Sequence, residues 1–373
     1  MKKTVPGKTS TPARSSAAVD TPVPSSQITH HRSRKKLLWL FAVIPVLLLF
    51  TAASLYGYYI SKYQKQVYVD QSFVDSWDQL PDAASTPTAT IAPDDVQPPT
   101  PTGIAVEPPT LDDVEGLNDP IIKKTPIDPN IENLLIIGID GTDVENEGHR
   151  SDTMLIVSIH KSTGTVKLAS VMRDIWAYYP NKNAWNKINA SYAWGGPGQT
   201  VNIINENFDL DIQEYVVLDF SGFEDIVDML GGLDLSLTDK EASKILGINS
   251  AGTYHLNGEQ ALAYSRTRKI DSDFVRVQRQ RNVLMAIFAY IRGENPANQY
   301  NIAVDSLEYM RSNISGADIT GRLFELALKI DSNIDQMTVP GTGMYTVHSE
   351  GTWYMSLDWD EQIEALHLFL YGE

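Results

Sequence analysis

From Leu37 to Ile60 the chain runs through 24 residues without a charge, LLWLFAVIPVLLLFTAASLYGYYI. As an α-helix this stretch is about 36 Å long, enough to cross a bilayer with some tilt. It is too long for the core of an ordinary signal peptide and lies well inside the chain. Only Thr51-Ala52-Ala53-Ser54 offers a weak cleavage site, so it reads as a retained anchor rather than a removed leader. His30-His31-Arg32-Ser33-Arg34-Lys35-Lys36 precedes it directly. Positive flanks stay inside, which puts the N-terminus in the cytoplasm and everything after residue 61 outside. Trp39 near one end and Tyr56, Tyr58 and Tyr59 near the other suit the two interfaces. The reading is a single-pass protein of the cytoplasmic membrane whose folded part is extracytoplasmic.

Charge divides along the same lines. Residues 1–36 hold eight basic side chains and one acid, net +7, in a Ser, Thr and Pro-rich stretch read as a disordered cytoplasmic tail. Residues 62–130 are net −8 and carry 11 of the 20 prolines, which predicts an extended spacer over 61–130. Residues 131–373 hold 18 bases and 34 acids, net −16. Such a field repels phosphate polymers, so no nucleic-acid partner is expected, and any anion bound there needs a local basic pocket. The chain has no cysteine, which excludes disulfides, thiolate-ligated metals and cysteine nucleophiles.

From Ile131 to the C-terminus one domain is expected. Asn133–Asp140 and Thr153–His160 are apolar runs of strand length, Thr165–Arg173 alternates, and further strands are predicted at 214–219 and 336–339. Helical patterns fall at 186–194, 198–207, 221–230, 257–264, 273–292, 300–311, 317–329 and 359–370. Apolar strands interleaved with helices imply an α/β domain, layered α-β-α, with a central mixed sheet covered on both faces.

Serine-hydrolase, zincin and Walker-type phosphate-loop signatures are all missing, and the seven histidines are scattered. What stands out is Asp and Arg at strand ends. Asp140 closes the first strand and Asp152 opens the second in Arg150-Ser151-Asp152-Thr153. On neighbouring strands the two carboxylates reach one sheet edge, where hard oxygen ligands suit Mg²⁺ or Mn²⁺. Turn capping and surface pairing explain the same residues as simply.

A second signal is positive charge in an acidic domain. Six of its 18 basic residues fall within 16 positions, Arg266 to Arg281. Arg266 and Arg268 point one way if extended, and Arg276, Arg279 and Gln280 share a helical face. Two facing guanidinium groups make a diphosphate cradle, whereas a solvated helix face is the plainer alternative. Trp185, Tyr192, Trp194 and Tyr264 lie near these motifs, either as core or as surfaces for sugar or lipid.

The order of these motifs resembles the LytR-CpsA-Psr family. The residues that carry the resemblance are Gly138-Ile139-Asp140, Arg150-Ser151-Asp152-Thr153, Ser170-Val171-Met172-Arg173-Asp174 and Lys187-Ile188-Asn189 with Tyr192, Gly195 and Gly196. They continue through Leu256-Asn257-Gly258-Glu259-Gln260, Tyr264, Arg266 and Arg268, to Asp273-Phe274, Arg276, Arg279 and Gln280. The resemblance covers 131–373 and extends to the anchor before it. It implies a phosphotransferase that moves a glycopolymer from a polyprenyl-diphosphate carrier onto the muramic acid 6-hydroxyl of peptidoglycan. It also implies Mg²⁺ or Mn²⁺ at Asp140 and Asp152, and a catalytic set of these two with Arg173, Arg266, Arg268 and Arg276. Arg150, Lys187, Asn189, Asp273, Arg279 and Gln280 are expected to contact the substrate, and a pocket between sheet and helices to take the lipid tail.

Phosphoryl transfer needs positioning and charge neutralisation more than a covalent nucleophile, so the residue set is chemically sufficient. Asp152 or Asp273 is available as base. The sequence departs from the family pattern at Met172, where a proline is common, and in a short Lys269–Asp273 loop that leaves open whether Asp271 or Asp273 faces the site. Two other readings remain: hydrolysis of the lipid diphosphate at the same site, and a non-catalytic envelope-binding protein.

Overall fold

Seven strands make the central sheet: Val67–Tyr68 (β1), Ile131–Ile139 (β2), Ser151–His160 (β3), Val166–Val171 (β4), Glu214–Leu218 (β5), Arg311–Ser312 (β6) and Asp335–Val339 (β7). Their order is β1-β6-β5-β2-β3-β4-β7, with β3 antiparallel to both of its neighbours, β2 and β4, and β5 parallel to β2. These coordinates are a computed structural model that describes residues 67–80, 118–141, 149–329, 334–349 and 351–372, all within the unit 57–373. The expected tail 1–36 and anchor 37–60 lie outside the described residues. Among the described residues no helix is long and apolar enough to cross a membrane.

The helices are Ala190–Phe208 (α1), Phe220–Met229 (α2), Gly258–Arg266 (α3), Asp273–Gly293 (α4), Pro296–Asp305 (α5), Gly316–Lys329 (α6) and Trp359–Tyr371 (α7). Alternation along β2 explains why they cover both faces. Leu135, Ile137 and Ile139 enter one core with Val201, Ile204 and Phe208 of α1 and Leu366 and Leu370 of α7. Leu134 and Ile136 face the other way, with Leu155, Val157 and Leu168, onto Leu284, Met285 and Phe288 of α4. The sheet is mixed and sandwiched by helices, as the sequence predicts.

Two features differ from the sequence reading. Residues 184–187, the last two of which open the helical pattern expected from 186, pair with Trp176–Tyr179 as a hairpin, and α1 starts only at Ala190. Gly195 and Gly196 then break α1, Gly196 with φ of 62°, before Pro197 restarts it, in line with the two separate helical patterns at 186–194 and 198–207. Two more hairpins, Leu233–Leu237 with Gly252–Leu256 and Tyr345–His348 with Tyr354–Leu357, carry turns that apolar periodicity does not mark.

The spacer expected over 61–130 is corrected at both ends. β1 adds to the sheet edge beside β6, and Phe73–Val74 pairs in parallel with Ile121–Ile122. Ile121 is fully buried, the Gln71 amide donates to the Asp119 carbonyl, and Asn202 of α1 bonds both Ile122 N and Pro120 O. Gly198 permits this docking, since a Cβ there meets the Asp119 carbonyl oxygen at 1.8 Å. The folded domain therefore includes 67–80 and 118–130. Proline content concealed the short apolar pairs that anchor them.

Candidate active site

The strands β2 and β3 are neighbours, and their register steps at Gly138/Ile139: Gly138 pairs with Thr153 and Ile139 with Ser151. Asp152 is thus the extra residue of a β-bulge, a device that re-aims a side chain at a sheet edge. Gly138 makes room for it, because a Cβ at 138 falls 3.0 Å from the Thr153 Cβ. Asp152 and Thr153 both line a cavity of about 170 Å³ between the sheet and helices α2, α3 and α4.

The floor of that cavity is apolar, built from Ile136, Leu155, Leu218, Leu262, Val283 and Ile287. Its mouth is polar, lined by the charged Asp152, Arg266, Arg268 and Arg276 and the neutral Gln280. Arg173 Nη1 reaches both oxygens of Asp152, at 2.8 and 3.0 Å, and Arg268 Nη2 donates to Asp152 Oδ2 at 2.7 Å. Arg276 donates to Asp273 Oδ2 at 2.8 Å, and Arg173 Nε lies 3.6 Å from the same oxygen. Arg266 stacks over Phe220 with its guanidinium carbon 3.9 Å from the ring centroid, a cation–π contact that fixes it at the rim. Asp273, not Asp271, therefore faces the site.

Five cations, Arg173, Arg266, Arg268, Arg276 and Lys187, gather here against three carboxylates, Asp152, Asp273 and Asp174, the last shared between Lys187 at 2.6 Å and Arg173 Nε at 3.2 Å. The mouth is a cationic spot in an acidic domain, the local pocket an anion needs. Burial alone pushes the Asp152 carboxyl up, but the charge and hydrogen bond of Arg173, with Arg276 and Arg268, hold it below the usual carboxylate range. Burial pulls Arg276 down from the usual guanidinium value, Asp273 opposes this, and Arg173 adds to it. The Arg276 Nε is buried without a partner among the described residues, a donor left for a ligand.

Other candidates are placed differently. Arg279 does not reach the mouth: it is buried and donates to Glu241 at 2.6 Å, to the Thr267 carbonyl at 3.1 Å and to Asp271. Its expected substrate contact is corrected to a clamp on the backbone between Arg266 and Arg268. The i, i+3, i+4 face failed because Glu241, on the helical turn Asp239–Ala242, captures the middle arginine. Burial raises Glu241, but Thr238 and Arg279 bring it below its ordinary value. Lys187 is held by Asp174, and Asn189 is buried at the first residue before α1, with its Oδ1 unpartnered and no capping bond. Arg150 and Asp140 are exposed at the strand ends, where Arg150 N donates to Asp140 Oδ1 at 2.7 Å. Tyr192, Trp194 and Tyr264 are core, while Trp185 stays half exposed.

Sequence reasoning missed Glu241 and Arg281. Arg281 lines the cavity wall and donates to Ser170, Thr338, Gln336, Gln278 and the Met337 carbonyl, all neutral. Its place in the basic run was visible, but its turn away from the mouth was not. No group of three or more His, Asp or Glu gathers to hold a metal among the described residues. Asp140 and Asp152 are hard oxygen donors of the kind Mg²⁺ takes when substrate phosphates and water complete its shell; here the Asp152 oxygens are bonded to Arg173 and Arg268 and Asp140 Oδ1 to the Arg150 N–H.

Comparison with known proteins converges on one family. The LytR_cpsA_psr family model matches residues 117–366. The chain is 30% identical over 236 residues to the polyisoprenyl-teichoic acid–peptidoglycan teichoic acid transferase TagT of Bacillus subtilis (strain 168), covering 60% of this chain and 71% of TagT. It is 31% identical over 244 residues to TagV of the same strain, covering 60% of each. Among solved structures, TagT bound to LI-WTA superposes with a TM-score of 0.55 at 27% identity, over 67% of this chain and 93% of that one. TagT (YwtF) with bound octaprenyl pyrophosphate gives a TM-score of 0.52 at 26% identity, over 67% and 94%.

Proposed function

The chain belongs to the LytR_cpsA_psr family, and from that premise we propose that it is a membrane-anchored phosphotransferase moving a glycopolymer from a polyprenyl-diphosphate carrier onto peptidoglycan. The observation that carries this reading is a ring of arginines at the mouth of a cavity with an apolar floor. A lipid diphosphate has the matching shape, a dianionic head on an apolar tail. TagT is named for transferring teichoic acid to peptidoglycan and has been solved with octaprenyl pyrophosphate bound, which supports the assignment.

In this reading Arg173, Arg266, Arg268 and Arg276 hold the diphosphate, Gln280 contacts it, and the tail lies along Leu218, Leu262, Val283 and Ile287. The muramic acid 6-hydroxyl attacks the phosphorus that bears the glycan. The bond from that phosphorus to the bridging oxygen breaks, and polyprenyl phosphate leaves. The arginines neutralise charge that develops on the phosphoryl oxygens, which is the main demand of this chemistry. Asp152 makes a poor base, since both its oxygens take guanidinium hydrogen bonds and its acidity is enhanced. Asp273 is better placed to take the hydroxyl proton: its contacts with Arg276 and Arg173 use only Oδ2. Mg²⁺ carried on the diphosphate would be held by Asp140 and Asp152 and would supply further charge neutralisation. The span 37–60 anchors the domain at the outer face of the cytoplasmic membrane.

The test uses the full chain in detergent with a short-chain polyprenyl-diphosphate sugar, Mg²⁺ and uncrosslinked peptidoglycan oligomers, read by mass spectrometry beside Arg173→Ala. An acceptor carrying the sugar phosphate, absent from the control, is the expected product. Free sugar phosphate without adduct would replace transfer by hydrolysis. Lipid binding without turnover of this donor would count against catalysis.

A further inference from the structure

The two hairpins beside Arg173 carry aromatic rings on the side that faces away from the core. In Trp176–Tyr179, Ala177 and Tyr179 are fully buried in the main core, so Trp176 and Tyr178 share the opposite face, where Trp176 is buried and Tyr178 partly exposed. Their cross-strand partners on that side are Lys187 and Trp185. In the other hairpin, Met355 and Leu357 enter the core. Tyr354 and Ser356 pair with His348 and Thr346 on the opposite face.

The two outward faces join. Ile175 bridges Met355, and the Trp176 ring centroid lies 4.4 Å from that of Tyr354, which stacks on His348 at 4.6 Å and 11°. Tyr178 and Trp185 follow at 5.5 Å. None of these five rings belongs to a hydrophobic core cluster. Trp176 and Tyr354 are themselves buried, so the accessible part of the row is Tyr178, Trp185 and His348, each partly exposed. An outward hairpin face with no partner ordinarily carries polar side chains, because the alternation that buries one face solvates the other.

Resting on the transferase reading, the geometry points to this face as the docking surface for the acceptor glycan. A pyranose chain offers flat C–H faces and hydroxyl edges, and the complement is a row of rings flanked by hydrogen-bonding groups. Such groups are present: Lys187, Thr346 and the His348 Nε2–Ser356 Oγ pair at 2.8 Å. Residues two apart on a strand stand about 7 Å from one another, close to the size of a sugar ring. The face is also continuous with the phosphate site. Lys187, paired across the hairpin with Trp176, donates to Asp174, whose carboxylate accepts from Arg173 Nε at 3.2 Å, which sets the hairpin next to the arginine cluster.

The experiment compares the full-length wild type with Trp185→Ala, Trp185→Phe and His348→Ala in detergent. The probes are uncrosslinked N-acetylglucosamine–N-acetylmuramic acid oligomers and, separately, octaprenyl diphosphate. Trp185→Ala should weaken equilibrium glycan binding about tenfold and raise the acceptor KM by a similar factor. His348→Ala should do the same to a smaller degree, and Trp185→Phe should restore most of the affinity. Octaprenyl diphosphate should bind all four proteins alike, which also reports that the domain is folded. Unchanged glycan binding in both alanine variants would overturn the proposal. Loss of glycan binding in Trp185→Ala, with no transfer by any of the proteins, would keep the docking face and remove the transferase reading. Transfer with a wild-type acceptor KM in Trp185→Ala would do the reverse.

Discussion

Asp152 grips Arg173 with both carboxylate oxygens, and it reaches that arginine only because it is the residue by which β3 outruns β2. The bulge turns a strand residue into the hub of the site, bonded also to Arg268 from the far side of the cavity mouth. Asp152→Asn keeps the shape but leaves guanidinium groups crowded without their counter-charge. Its transfer rate should fall about 100-fold, the usual consequence of disordering one charge-stabilising group. The folded pKa of Asp152 is depressed, so its stabilising contribution is present above the ordinary Asp value of about 3.9 and is lost as pH falls below it. Wild type should therefore melt above Asp152→Asn by a constant margin from pH 7 to about 5, and the margin should close below about pH 4. Parallel melting curves across that range settle the point.

Gly138 sits one residue before the step in register, and a methyl there falls on the Thr153 Cβ. Gly138→Ala should cost about 1–3 kcal/mol of stability through overpacking and should lower donor affinity, because any relief moves Asp152. A variant that melts like wild type and binds octaprenyl diphosphate normally would show that the bulge tolerates the group.

The boundary of the domain is a further prediction. β1 and the Ile121–Ile122 pair lie in the stretch whose composition reads as spacer, yet they bury Val69, Ile121 and Ile122 against the domain. Each such side chain contributes about 1.5–3 kcal/mol when fully buried. A chain starting at residue 131 should melt well below one starting at 57, or aggregate, while both retain the Asp152–Arg173 pair. Differential scanning calorimetry of the two is sufficient.

Much of this was legible before any coordinates. Continuous or alternating apolar residues placed β2, β3, β4 and β5 within a residue or two, because burial on both faces leaves few other patterns. The basic run marked the mouth, since arginines clustered in an acidic domain demand a reason. What escaped notice depended on partners distant in sequence. Glu241 claims Arg279 across 38 positions, and no helical periodicity encodes that choice. The bulge at Asp152 is a difference of register between two strands, a property that neither strand carries alone. Trp176 and Tyr178 sit in a four-residue strand too short to show its alternation.

Arg276 and Arg279, three residues apart on α4, should fail in opposite ways. Arg279 is the sole guanidinium bonded to Glu241 and Asp271 among the described residues, and it also holds the Thr267 carbonyl, so Arg279→Ala strands one buried carboxylate and frees the segment that carries Arg266 and Arg268. Removing one partner of a buried pair costs about 3–5 kcal/mol, and the loss should appear first as a lowered melting temperature. Glu241→Gln, which keeps an oxygen acceptor for Arg279 Nε, should lose less than Glu241→Ala. Arg276 shares its carboxylate, Asp273, with Arg173, and its buried Nε has no partner among the described residues, which leaves a donor ready for an anion. Arg276→Ala should leave the melting temperature within a few degrees of wild type and weaken octaprenyl diphosphate binding about 10–100-fold, the range for one charge-assisted contact to phosphate. Equal melting temperatures for the two variants, or equal donor affinities, would contradict the division of labour assigned to this helix.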